Sequence, residues 1–249
     1  RTGEWQEGIA RVIDADLPAP VSALLAPYLD AVRARNPNGK LRYYPGSPFI
    51  TRHMLRKQDR LMALELHATD AWALKKNFAD DFQVRVTNID GWAAMGTHLP
   101  PKEKRGLVLV DPPFEEKGEF ARMAQSLEKA HERWPGGIYA YWYPIKDPME
   151  VQAYIKALKA SGIPKILRIE LTIDTPTTPP RLHGTGMIVV NPPYVLEERL
   201  KIRDAIKEVN PDCKIVLVVD ENSEKKVAEE VRRAKKAGRM DQFIYGSIS

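Results

Sequence analysis

Short aliphatic runs recur along this chain, and the segments between them carry apolar residues at helical spacing. The plainest run is Leu107–Val110, unbroken and aliphatic, the pattern of a strand buried on both faces of a parallel sheet. The other strand candidates are 60–66, 82–86, 138–142, 165–173, 186–190 and 214–219. Helices are expected over 69–78, 92–98, 119–134, 148–160, 197–209 and 223–238. Strands alternating with helices of this length predict an α/β protein with a mostly parallel sheet. The strands at 165–173 and 186–190 are joined by a Thr/Pro-rich loop, so they are expected as antiparallel neighbours at one edge.

Upstream of the alternation the texture differs. Residues 4–35 read as two helices broken by Pro18-Ala19-Pro20, the second with Leu24, Leu25, Tyr28, Leu29 and Val32 on one face. Asn36-Pro37-Asn38-Gly39 is a turn. Ser47 followed by Pro48 is an N-cap ahead of an N1 proline, opening a helix over 49–57 with Arg52, Arg56 and Lys57 on its polar side. Three regions follow: a helical subdomain at 1–45, an α/β domain at 46–199 and a βα tail at 200–249. In the tail, Ser223 and Gly238 sit where helix caps belong.

Composition narrows the function classes. The 249 residues are 43% hydrophobic and 29% charged, ordinary values for a globular protein. The formal net charge of +5 fits either a mildly basic protein or one with a polyanionic partner such as nucleic acid. Cys213 is the single cysteine, so no internal disulfide forms and a reducing, cytoplasmic setting is expected. No apolar run is long enough for a membrane helix. The chain opens at Arg1 without a methionine, which suggests a missing or removed N-terminal piece.

Candidate chemistry gathers at strand ends, where open α/β sheets bind ligands. Asp111-Pro112-Pro113-Phe114 closes the Leu107–Val110 strand because proline cannot continue a ladder. A carboxylate and a fixed proline carbonyl suit the two N–H groups of an exocyclic amine, and an aromatic ring suits the base that bears it. Asn191-Pro192-Pro193-Tyr194 repeats the pattern with an amide, at a later strand. The earlier position favours 111–114, which otherwise is a proline-terminated strand with a capping acid. Glu65 and Asp90-Gly91 fall at two further strand ends, where acids either grip a nucleoside or cap helices. Arg42, Arg52, Arg56, Lys57, Lys102 and Lys104 either line a polyanion groove or are solvated surface charge. His53, His67, His98, His131 and His183 show no metal-ligand spacing, so no metal is expected, and no nucleophile elbow or Walker loop is present.

These residues together resemble a known family. Thr2-Gly3-Glu4, the run from Leu41 to Pro48, Glu65-Leu66-His67, Asp90-Gly91, Arg105 to Phe114, Tyr141 to Pro144 and Gly186 to Pro193 look like the bacterial methyltransferases that make N6-methyladenine in large-subunit ribosomal RNA. The resemblance covers about residues 1–199. It implies a Rossmann-like methyltransferase sheet with a helical insertion at the N-terminus; a monomer is expected. It implies S-adenosylmethionine as methyl donor and ribosomal RNA as acceptor. Ser47, Glu65, Asp90, Gly91 and Asp111 would then contact the cofactor, and Asp111, Pro112, Pro113 and Phe114 would hold the target adenine.

The chain departs from the family pattern twice. It lacks the first strand and the glycine-rich loop that follows it in the family, and its tail from about residue 200 is unlike the family's C-terminus. The tail strand at 214–219 is expected to take the place of the absent first βα unit. The alternative to an active enzyme is a truncated, permuted or engineered chimera that keeps the fold and RNA binding.

Overall fold

The computed structural model describes residues 4–173, 176–199 and 214–219. Thr2, Gly3, Cys213, Asp220 and the tail helix expected at 223–238 lie outside the described residues, as does the helix at 197–209 beyond residue 199. The chain forms two compact units, residues 1–94 and 95–249.

In the first unit, α1 (Glu4–Glu7), α2 (Ile9–Val12) and α3 (Ala19–Ala34) precede α4 (Ser47–Met54). Helical spacing along α3 puts Leu29 and Val32 on one face, and these pack with Ile9 into a small core. Asn36 turns the chain and then holds it. Its buried amide donates to the carbonyls of Val32 (2.9 Å) and Tyr43 (2.7 Å), and its Oδ1 accepts from the backbone of Arg42 (2.7 Å) and Tyr43 (3.0 Å).

β1 (Leu61–Glu65), α5 (Ala68–Asn77) and β2 (Val84–Asn88) form a parallel βαβ unit in the register Leu61↔Val84 to Glu65↔Asn88. The second strand starts two residues later than expected, for a clear reason. Gln83 is buried and its amide donates to the carbonyls of Arg56 (2.7 Å) and Asp59 (2.9 Å). That clamp precedes the ladder, and Phe82 remains exposed. Likewise α4 ends at Met54 instead of Lys57, because the Asp59 carboxylate accepts the Arg56 backbone N–H at 3.0 Å. At its start Gly46 takes the cap position, so Ser47 lies in the first turn and does not cap. α6 (Gly91–His98) follows β2.

The second unit contains β3 (Leu107–Val110), α7 (Glu119–Arg133), β4 (Ile138–Ile145), α8 (Pro148–Ala160), β5 (Ile166–Thr172), β6 (Gly184–Val190), α9 (Tyr194–Arg199) and β7 (Lys214–Val219). The sheet order is β3-β4-β6-β5-β7. β3 and β4 pair parallel, while β6 runs antiparallel between β4 and β5. The sheets are thus parallel with an antiparallel part, and β5 and β6 are the antiparallel neighbours their connecting loop predicts. The tail strand β7 pairs antiparallel with β5, Leu167↔Val219 to Thr172↔Lys214. This corrects its expected place: it extends the far edge of the sheet, beside β5, instead of standing in the first βα position.

Period-two alternation on β4 sends Tyr139, Tyr141 and Tyr143 to one face, all fully buried. Each phenol finds a partner, as buried hydroxyls must. Tyr139 donates to the carbonyls of Ala130 (2.8 Å) and Trp134 (2.9 Å), Tyr141 to Met95 Sδ (3.2 Å) and Tyr143 to Glu170 Oε1 (2.8 Å). Met123, Leu127 and Ala130 of α7, and Val151, Tyr154 and Leu158 of α8, are the buried hydrophobic residues of those helices and recur at helical spacing.

The expectation that β3 is buried on both faces is corrected. Leu107 and Leu109, which share a face, are 61% and 49% exposed. β3 is the terminal strand of its sheet and hydrogen-bonds only to β4 among the described residues. Among the described residues no helix is long and apolar enough to cross a membrane, and no group of side chains is arranged to hold a metal.

Candidate functional site

The predicted residues fall into one group in each unit. In the first, parallel pairing brings the C-terminal ends of β1 and β2 side by side, so Glu65 and Asn88 are register partners. Asn88 fastens the two ends together: its amide donates to the carbonyls of Glu65 and Leu66, each at 2.8 Å. No motif pointed to this residue; the only available signal was an amide at a strand end.

Glu65 is half-buried and its Oε1 accepts the His67 backbone N–H at 2.9 Å. Asp90 is exposed and its Oδ1 accepts the Trp92 N–H at 2.9 Å, so it also caps α6. In each acid one oxygen orients the side chain, and the other oxygen is the candidate ligand acceptor. A Cβ at Gly91 would meet open space, which leaves room beside the Asp90 carboxylate for a bound group. Ser47 is exposed at the start of α4 and makes no capping bond. Two acids at adjacent strand ends offer hydrogen-bond acceptors of the kind that suits the hydroxyls and amine of an adenosine moiety.

In the second unit, β3 stops at Val110, whose partner is Tyr141. Asp111 follows at the strand end with its carboxyl open to solvent. Protein packed around it nevertheless raises its pKa by desolvation. Pro112 is buried, Pro113 is exposed and Phe114 is half-buried. Phe114 has φ +54°, in the left-handed region. That conformation costs a non-glycine residue of order 1–3 kcal/mol and persists only where the surroundings enforce it. Its ring meets Phe120 of α7 at 5.0 Å and Trp142 of β4 at 6.0 Å, both edge-to-face.

The twin tetrapeptide has a different fate. Asn191 also sits at positive φ (+52°), but its amide donates to the carbonyls of Pro135 and Gly137, both at 2.8 Å. Its side chain therefore ties down the turn that leads into β4. Tyr194 is 91% exposed. Asn191→Ala is expected to lower stability by about 1 kcal/mol, since the exposed Pro135 carbonyl and the part-buried Gly137 carbonyl lose their shared donor. Its kcat should stay near that of the parent; thermal melts and initial rates on the same preparation check both halves.

The basic candidates separate as well. Arg52 is ion-paired with Asp81, and Arg56 forms a two-pronged pair with Asp59 at 2.9 Å for each contact. Both pairs hold down the carboxyls' pKa. Arg42 and Lys57 in the first unit, and Lys102 and Lys104 in the second, are exposed.

Comparison with known proteins places these features in a lineage. Residues 1–213 match the family described as ribosomal RNA large subunit methyltransferase D, RlmJ. The ribosomal RNA large subunit methyltransferase J of Escherichia coli (strain K12) is 42% identical over 201 residues, covering 80% of this chain and 70% of the relative. The Haemophilus influenzae (strain ATCC 51907 / DSM 11121 / KW20 / Rd) protein of the same name is 41% identical over 203 residues, covering 81% and 71%. The crystal structure of protein LPL1258 from Legionella pneumophila str. Philadelphia 1 superimposes with a TM-score of 0.75 at 31% identity, over 83% of this chain and 76% of that one. With a family match across most of its length and relatives above 40% identity, this chain belongs to the RlmJ family of ribosomal RNA large-subunit methyltransferases.

Proposed function

We propose that this chain transfers a methyl group from S-adenosylmethionine to N6 of an adenine in large-subunit ribosomal RNA. The observation that carries this reading is the end of β3. Asp111 there has no hydrogen-bonding or ionic partner among the described residues, and it stands beside a proline carbonyl and an aromatic ring. The related tetrapeptide at 191–194 has its amide occupied within the fold, which supports 111–114 as the acceptor site.

The Asp111 carboxylate and the Pro112 carbonyl accept the two N6 N–H bonds. This draws the nitrogen lone pair out of conjugation with the ring, and most of the gain is positioning. Phe114 stacks on the base, which must be presented outside a helix for its amine to be reached. When bound, the cofactor supplies an electrophilic methyl group. Glu65, Asp90, Gly91 and Ser47 would hold its adenosine portion. Arg42, Lys57, Lys102 and Lys104 supply phosphate contacts, while Arg52 and Arg56 serve mainly to hold Asp81 and Asp59.

Calorimetric titration of S-adenosylmethionine into the full chain tests the reading. Saturable binding is expected. Glu65→Ala and Asp90→Ala should each weaken it by roughly 10-fold or more, the usual loss for a hydrogen bond to a charged group. Failure of the intact chain to bind would sink the proposal. Equal affinity in both variants would remove these two acids from it.

A further inference from the structure

We propose that Phe120 and Trp142 are positioning residues for methyl transfer: they hold the Phe114 ring in place before the target base arrives. This rests on the reading that residues 111–114 receive the adenine. Three observations carry it.

Phe114 occupies a strained backbone conformation, so something around it must maintain that geometry. The two rings that touch it come from different elements, α7 and β4, so each constrains it independently. Phe120 is itself anchored. It meets Tyr143 at 6.1 Å and Tyr154 at 5.3 Å, and those two residues are buried and in contact with each other at 5.6 Å. Trp142 is fixed by the ladder. It follows Tyr141, the partner of Val110, so it lies one rung beyond the last pair, level with the strand end that carries Asp111.

Adjacent residues of a strand point to opposite faces. Trp142 and Tyr143 therefore leave β4 on opposite sides. Phe114 touches Trp142 directly and reaches Tyr143 through Phe120. The ring is thus braced from both faces of the sheet. Edge-to-face pairs are orienting contacts with a preferred geometry, unlike generic apolar packing. A base stacking on a ring already held in this way needs no reorganisation of the site, so the benefit belongs in kcat.

The test uses the full chain, S-adenosylmethionine and protein-free large-subunit ribosomal RNA lacking the modification. Phe120→Leu and Trp142→Leu are each expected to lower kcat about 10-fold, the scale of a small misplacement at the reacting centre. The KM for RNA should stay within about twofold, because phosphate contacts elsewhere set affinity. Phe120→Tyr and Trp142→Phe, which restore an aromatic edge, should recover most of the rate. The double variant Phe114→Leu/Phe120→Leu should be no slower than Phe114→Leu alone, since Phe120 acts through Phe114.

Unchanged kcat in both leucine variants overturns the proposal. So does a multiplicative loss in the double variant, which a general loss of packing would produce. Phe114→Leu alone separates the two layers. If it is slow while Phe120→Leu and Trp142→Leu are not, only the bracing role fails. If it keeps the parental rate, the acceptor reading fails and takes the bracing role with it.

Discussion

Asp111→Ala is expected to lower the rate of methyl transfer by about 10²–10³-fold, the usual cost of removing one preorganised charged group from a reacting centre. The carboxylate sits at the end of β3 with no partner of its own among the described residues, so its acceptor capacity is available to the substrate amine. Asp111→Asn keeps a carbonyl acceptor but loses the charge, and its rate should fall between the two. RNA affinity should change little in either variant, because the cations proposed to contact phosphate are elsewhere in the chain.

The same substitutions have an opposite effect on stability. Desolvation raises the Asp111 pKa in the folded state, so the folded chain holds this proton more firmly than the unfolded chain does. Ionisation therefore costs stability, and the cost develops as pH rises from the ordinary carboxyl value of 3.8 through the raised folded-state value. Asp111→Asn should melt at the same temperature as the parent or slightly above it at pH 7. That difference should vanish below the ordinary carboxyl value of 3.8. A clear fall in melting temperature at pH 7 would show instead that Asp111 stabilises the fold and is not a strained acceptor.

Gly186→Ala should be the most damaging change away from the acceptor site. Gly186 of β6 lies on one rung with Tyr143 of β4 and Glu170 of β5. With no side chain in the middle, the Tyr143 phenol lies across the glycine and reaches Glu170 Oε1 at 2.8 Å, and Arg168 meets the same oxygen at 2.6 Å. A methyl at position 186 would overlap the Tyr143 ring. That ring cannot swing away cheaply, because it is fully buried against Phe120 and Tyr154. Overpacking alone costs about 1–3 kcal/mol, and displacing a buried carboxylate's partners adds about 1–3 more. The expected loss is about 3 kcal/mol or more, or roughly 6–12 °C in melting temperature for a domain of this size. Denaturant and thermal unfolding measure it. Tyr143→Phe should lose only the hydrogen-bond part, about 1–3 kcal/mol. Parental stability in Gly186→Ala would mean that the ring has another place to go.

Element order and type were legible along the chain because helical and strand periodicities are local. Leu29 and Val32 face one way whatever else the chain does, and Leu107–Val110 is a strand by its composition. The end of β3 at Val110 was legible too, since an acid followed by two prolines cannot continue a ladder. Element ends were less legible. Whether the strand began at Phe82 or Val84 was decided by a buried Gln83 amide reaching carbonyls more than 20 residues away. No local pattern encodes that contact.

Partner choice is what the tertiary structure alone decided. Asp111 and Asn191 stand in nearly identical tetrapeptides, yet one has no partner among the described residues while the other clasps the turn before β4. Arg52 and Lys57 read alike on a polar helix face, but only Arg52 finds a carboxylate from a distant loop. β7 reads as a stand-in for the absent first βα unit, yet it pairs with β5. Trp142 falls within a motif of the family resemblance and Phe120 within none, but their relation to Phe114 exists only once α7 and β4 are packed. Periodicity and strand-end chemistry are properties of neighbours along the chain. Pairing, burial and the occupation of a donor or acceptor depend on residues brought together by folding.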